Sequence, residues 1–260
     1  MENCIADVRS WMTMSKLKLN DAKTEVMIIT KKNDVKCVRD IAVTIGEESI
    51  SPKPVVKNLG ATLDAMLSME QQVNAMTRKM YFNIRRIAKV KYHLTKEACT
   101  KAINTTVIVH LDYHNGLLLG APDKTIRKLQ VAQNSAARLL TGTPRRDHIK
   151  PVLYHLHWLP VRQRITFKII TIIQKSLHSP TSPSYMRELC PVYNPGRALR
   201  SSSDTWKLQV TKSSNKYGAR SFTCLGATLW NELPADIRGP ITHATFRKQL
   251  KTVLFKEVYG

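Results

Sequence analysis

The chain has 260 residues, 43% of them apolar, and carries 41 lysines and arginines against 19 acidic residues, a formal net charge of +22 at neutral pH. That apolar fraction can fill the core of one large domain or two ordinary ones, which excludes a disordered basic tail. No apolar run approaches the ~20 residues that span a bilayer and the amino terminus lacks the apolar stretch of a signal peptide, so an intracellular protein is expected.

In chain order, residues 3–19 read as a helix with Ile5, Val8, Met12 and Leu19 near one face, broken by Asn20 and Asp21. TEVMIIT at 24–30 is short, β-branched and apolar on both faces, which predicts a strand buried in a sheet. IAVTI at 41–45 and VVKNLGATLD at 55–64 predict two further strands, with Gly46 and residues 51–54 as turn material. From Ser68 the period becomes helical: Val73, Met76, Met80, Ile84 and Ile87 form an apolar stripe, and Arg78, Arg85 and Lys89 fall on roughly the opposite face. Further helices are expected from Thr95 to about Leu111, from Asp123 to Leu140 with Asp123 as its cap and Gly142 closing it, and from Val161 to Leu177. Residues 197–225 suggest a hairpin around YGARSF, and a last helix is expected from Thr245 to Glu257 with Phe246, Leu250, Val253 and Leu254 inward. The fold class is therefore α+β, mainly α, in three regions: 1–70, a helical bundle at 71–145, and 146–260.

The charge is unevenly placed. Residues 1–70 hold 10 basic and 10 acidic side chains, and 71–260 hold 31 and 9. A field of that sign favours polyanions, nucleic acid first, with a solubility surface or a membrane-surface patch as alternatives. The cysteines Cys4, Cys37, Cys99, Cys190 and Cys224 show no CxxC or CxH pairing, so reduced thiols are expected in place of a disulfide framework or zinc knuckle.

Seven strings follow one another in a distinctive order: KLKLNDAKTEVMIIT at 16–30, NLGATLD at 58–64, HLDYHNGLLLGAP at 110–122, LQVAQNSAARLLTG at 129–142, HLHWLPVRQRITFKI at 155–169, YGARSF at 217–222 and LWNELP at 229–234. Together they resemble the carboxy-terminal part of the reverse transcriptase of LINE-type (non-LTR) retrotransposons, of the jockey-like and chicken-repeat kind. The resemblance covers nearly the whole chain. It implies a remnant of a polymerase palm with its primer-grip hairpin at 1–70, a thumb-like bundle at 71–145 and a family-specific region at 146–260. The implied activity is RNA-directed DNA synthesis, with the element RNA template and the target-site primer as partners, in nucleus and cytoplasm. In that family an adjacent pair of aspartates holds the Mg2+ ions. This sequence contains no Asp-Asp pair, so the chain looks cut just after the catalytic turn and is expected to be no enzyme by itself and to hold no cofactor. A stand-alone nucleic-acid-binding protein and a decayed element copy without a selected role are the competing readings.

By the same resemblance, Lys23 matches a lysine that protonates departing pyrophosphate, the alternative being a solvated loop lysine. Asn58, Leu59 and Gly60 match the primer-gripping hairpin, or form an ordinary turn. Arg78, Lys79, Arg85, Arg86, Lys89 and Lys91 lie where the thumb begins, and guanidinium and ammonium groups along one face can meet successive phosphates. Arg138, Arg145, Arg146 and Lys150 form a second basic patch around an exposed loop, TPRRDHIKP. HLHWLP admits a metal reading through His155 and His157, against a packing corner with Trp158 buried. Trp158, Trp206, Trp230, Tyr81 and Tyr113 are candidate base-stacking groups, or core. Residues 1–70, uncharged overall and with strands cut from a larger sheet, are expected to self-associate.

Overall fold

The computed structural model describes residues 2–30, 41–45, 48–194 and 206–260. The described residues are mainly helical, with two small antiparallel sheets, an α+β class dominated by α. It forms two compact units, Met1–Gln72 and Val73–Gly260.

In the first unit α1 spans Glu2–Met14, shorter than the sequence suggests. The Leu17 amide donates to the Met12 carbonyl and the Lys16 amide to Thr13, with Lys16 left-handed at φ 57°, so a Schellman turn ends the helix before Leu19. Asn20 then caps a separate 3₁₀ turn, Asp21–Lys23, by accepting from the Lys23 amide. The strand expected at 24–30 is a correction. That segment joins no ladder among the described residues and none of its residues is buried; the Lys53 amide donates to the Val26 carbonyl, the Thr30 amide donates to the Ala65 carbonyl, and the Glu25 carboxylate pairs with the Lys53 ammonium. Those contacts lie just outside the strands, which pair with one another instead.

β1 (Val43–Ile45) pairs with β2 (Glu48–Ile50), which the sequence reading missed. VVKNLGATLD is a hairpin, not one strand: β3 (Val55–Asn58) pairs with β4 (Ala61–Asp64) around Leu59 and Gly60. Both turn residues have positive φ, 46° and 86°, as a two-residue turn of this hand requires. Asp64 is buried, and its carboxylate accepts from the amides of Met66, Ser68 and Met69 and from the Ser68 hydroxyl. The last residue of the NLGATLD string therefore organises the start of α2 (Glu70–Val90).

In the second unit the inward stripe of α2 is as expected, with Val73, Met76, Met80, Ile84 and Ile87 all buried. The helix expected at 95–111 is three joined pieces: α3 (Lys96–Ile103), capped by the Thr95 hydroxyl, a π turn at Asn104–Ile108, and α4 (Val109–Asp112). A 3₁₀ turn, Asn115–Leu118, leads to α5 (Asp123–Thr141). Asp123 is not its cap. It is the first helical residue, behind Pro122, and its carboxylate pairs with Arg162. Gly142 does close α5, at φ 74° with its amide on the Arg138 carbonyl.

α6 (Ile149–His155) and α7 (Val161–His178) follow, with the HLHWLP corner between them. Two glutamines of α5 hold that corner: buried Gln133 donates to the Leu159 carbonyl at 2.9 Å, and Gln130 accepts from the Val161 amide at 2.9 Å. Ile165, Ile169 and Ile173 of α7 are buried. Because α5 packs on both α6 and α7, regions 71–145 and 146–260 share one core.

After α8 (Ser184–Glu188), Val192 bridges Leu208, and Leu208 is bonded through both its amide and its carbonyl to the side-chain amide of Asn231. Of the hairpin expected at 197–225, residues 197–205 lie outside the described residues, 206–215 are irregular apart from the Leu208 bridge, and the segment from Lys216 on is largely helical. Asn215 caps α9 (Lys216–Ala219), and Ser221 caps a π turn, Phe222–Gly226, that runs into α10 (Ala227–Asn231). Asn215 and Ser221, polar members of the alternation that suggested a hairpin, are helix caps. α11 (Ala235–Arg238) precedes α12 (His243–Tyr259), whose Phe246, Leu250 and Leu254 are buried against α7 and its neighbours, with Val253 half-buried.

His178 closes α7. It lies edge-on to Trp206 with centroids 4.5 Å apart and places Nε2 3.2 Å from the Arg238 carbonyl. Burial lowers its pKa below the usual histidine value, partly opposed by that carbonyl. Below the unfolded value the unfolded chain then binds the proton more readily than the folded one, so this contribution to stability falls as pH drops through the range just under 6.5. In thermal melts from pH 7.5 to 5.5, His178→Gln should show a smaller acid loss than the parent. An identical loss in both would place the titrating group elsewhere.

Candidate nucleic-acid interface

Between Gln71 and Lys96 the sequence contains no acidic residue, so beyond Glu70 in its first turn every charged side chain of α2 is basic. Arg78, Lys79, Arg85, Arg86 and Lys89 are all exposed, and among the described residues none of them forms an ion pair. Arg78, Phe82, Arg85 and Lys89 follow at helical spacing along one stripe, about 16 Å long at 1.5 Å per residue. Phe82 is 56% exposed, and the Arg86 guanidinium lies over its ring, 5.5 Å from the centroid. Tyr92, in the 3₁₀ turn Lys91–His93 that follows, is 93% exposed.

The scaffold under this face is fixed. Asn83 donates to the Thr106 carbonyl of the π turn at 2.7 Å, and Lys128 to Asn74. His110 of α4 has a lowered pKa, first through burial and then through the charge of Lys79. A rigid helix presenting unpaired cations and an exposed ring suits a strand whose phosphates meet the cations and whose bases stack on the ring.

The other expected site residues separate into different roles. Lys91 is half-buried and donates from Nζ to the Leu139 carbonyl near the end of α5, a structural tie. Arg138 is likewise engaged: it donates to the Pro144 and Asp147 carbonyls and closes the loop onto α5. Arg145, Arg146 and Lys150 remain exposed, with only a 3.9 Å contact between Arg146 and Asp147.

In the first unit, Lys23 is exposed on its 3₁₀ turn, and Asn58, Leu59 and Gly60 are exposed at the hairpin tip. HLHWLP is a packing corner: Trp158 is buried and accepts at its carbonyl from the Tyr259 hydroxyl at 2.7 Å, and His157 stacks on Phe255. No group of three or more metal-ligating side chains exists among the described residues. Trp230 is fully buried, Trp206 half-buried and Tyr81 half-buried against Ser135, whereas Tyr113 is exposed. Phe82 escaped the sequence reading. Its place at i+4 from Arg78 and i−3 from Arg85 was the available signal.

No helix among the described residues is long and apolar enough to cross a membrane. Compared with known protein families, curated proteins and solved structures, the chain matches none at a significant level.

Proposed function

We propose that residues 73–260 bind RNA or DNA through the phosphate backbone, without catalysis, as the thumb-like part of a LINE-type reverse transcriptase would grip template and primer. The observation that carries this reading is the exposed ring of Phe82 on a helix face with five cations that have no acidic partner among the described residues. Phosphate contacts of this kind give affinity with little sequence preference, and the ring adds stacking for unpaired bases.

The test is binding of fluorescent single strands and duplexes to the full chain and two variants. Changing Arg78, Arg85 and Lys89 together to Ala should lower affinity for both and reduce the salt slope by about three, one for each lost phosphate contact. Phe82→Ala should weaken single strands by about tenfold while sparing duplexes, since stacking on one base contributes ~1–3 kcal/mol. Unaltered affinity and slope in the triple variant would make the stripe a solvated face. The purified chain should not extend a primer with nucleotides and Mg2+, because two-metal phosphoryl transfer needs carboxylates to hold both ions and the adjacent aspartate pair of the resembled family is absent from this sequence. Template-dependent extension would overturn the non-catalytic part of the reading.

A further inference from the structure

A second cationic feature of the 73–260 unit is concave. A cleft of about 520 Å³ opens between the 3₁₀ turn at Asn115–Leu118 and the amino-terminal halves of α7 and α12. Two pairs at i, i+4 spacing line it, Arg164 with Lys168 on α7 and Arg247 with Lys251 on α12. Arg164 is neutralised, since both Asp112 oxygens lie 2.9 Å from its Nη1. Lys168, Arg247 and Lys251 form no ion pair among the described residues, and Arg247 lies over the Phe167 ring, 5.8 Å from the centroid. Among the described residues Asp112 is the only acidic one in the lining, and it is already paired.

Asn115 supplies an independent observation. It lines the same cleft, is 2% exposed, and its Nδ2 donates to the Arg164 carbonyl at 3.4 Å, which sets the amide so that Oδ1 is the free acceptor. That oxygen is buried and has no hydrogen-bond partner among the described residues. A buried acceptor lacking a donor is destabilising, and a bound ligand that brings an O–H or N–H removes the deficit.

We infer that this cleft binds a nucleoside carrying a terminal phosphate. Three unpaired cations from two helices suit the dianionic charge of a phosphomonoester better than the single charge of an internal diester. The volume lies in the range of small-ligand sites, and a sugar hydroxyl or base amine beside the phosphate provides the donor for Asn115. The phosphate comes either from a free nucleotide or from the phosphorylated end of a strand, and both present the same chemistry. The cleft is built from residues other than the α2 stripe, so its test can fail or succeed apart from that reading.

The experiment uses the full chain and Lys168→Ala/Lys251→Ala, both exposed positions whose truncation spares the core. Calorimetry with AMP, adenosine and inorganic sulfate is combined with anisotropy of a short oligonucleotide bearing either a 5′-phosphate or a 5′-hydroxyl. AMP binding that adenosine and sulfate do not match, lost by about tenfold or more in the double variant, assigns the free nucleotide. A preference of similar size for the phosphorylated end, abolished in the double variant and without AMP binding, assigns the strand end. Equal binding of both ends with no AMP binding overturns the inference, as does AMP binding that the double variant leaves unchanged. The salt slope for long duplex should stay at the parent value in this variant and fall only in the α2 triple, which separates the two sites.

Discussion

Raising the salt from 50 to 200 mM should weaken binding of the chain to a long duplex by about a thousandfold or more. The expectation follows from where the charge lies. Residues 73–260 hold 31 basic and 9 acidic side chains, and the first unit is balanced. Within the basic unit, Arg78, Lys79, Arg85, Arg86 and Lys89 are exposed and have no acidic partner among the described residues, and Arg145 and Arg146 in the loop before α6 and Lys150 in its first turn add exposed cations. If six or more of these meet phosphates, each releases a counterion, and the logarithm of affinity falls with the logarithm of salt at a slope of about −5 or steeper. Lys91 and Arg138 should not contribute, because backbone carbonyls of the protein already hold them. Fluorescence anisotropy across the salt range checks this. A slope near zero would mean that the field acts on solubility alone.

Helix α2 was legible in the sequence because two independent periods agree: the buried stripe from Val73 to Ile87 and the cationic stripe opposite it. The last helix was legible for the same reason, with Phe246, Leu250 and Leu254 at regular spacing. Residues 24–30 misled because β-branched apolar residues signal burial, whereas strand pairing depends on which partner closes first; β3 and β4 close on each other. The stretch around YGARSF misled because alternating polar and apolar residues read as strand, whereas two of the polar ones, Asn215 and Ser221, cap helical turns. The concave cleft was not legible, since its lining joins residues from Asp112 to Lys251 and only tertiary packing brings them together. Several of the most distinctive strings proved to be packing devices. Asp64, Asn115, Trp158 and Asn231 each sit inside one of them: the side chains of Asp64, Asn115 and Asn231 bond to backbone, and the Trp158 carbonyl accepts from the Tyr259 hydroxyl.

Trp230→Ala should be the most damaging single change in the second unit. The side chain is fully buried at the junction of α10, α7 and α12, its ring lies 5.9 Å from that of Phe246, and its indole N–H donates to the Trp206 carbonyl at 2.7 Å. Truncation removes the apolar transfer term, leaves a cavity that neighbouring helices only partly fill, and strands the Trp206 carbonyl, for a loss of about 3–5 kcal/mol. For a unit of this size that corresponds to a fall of about 10 °C in the melting midpoint. Phe246→Leu, which keeps the position apolar, should cost visibly less. Melting curves followed by circular dichroism, with nucleic-acid affinity measured at a temperature where both proteins are folded, distinguish core from contact. A variant that melts within a degree or two of the parent yet binds single strands more weakly would make Trp230 a base-stacking group. A large loss of stability with unchanged affinity per folded molecule leaves the nucleic-acid contacts to the exposed ring of Phe82 and the cations around it.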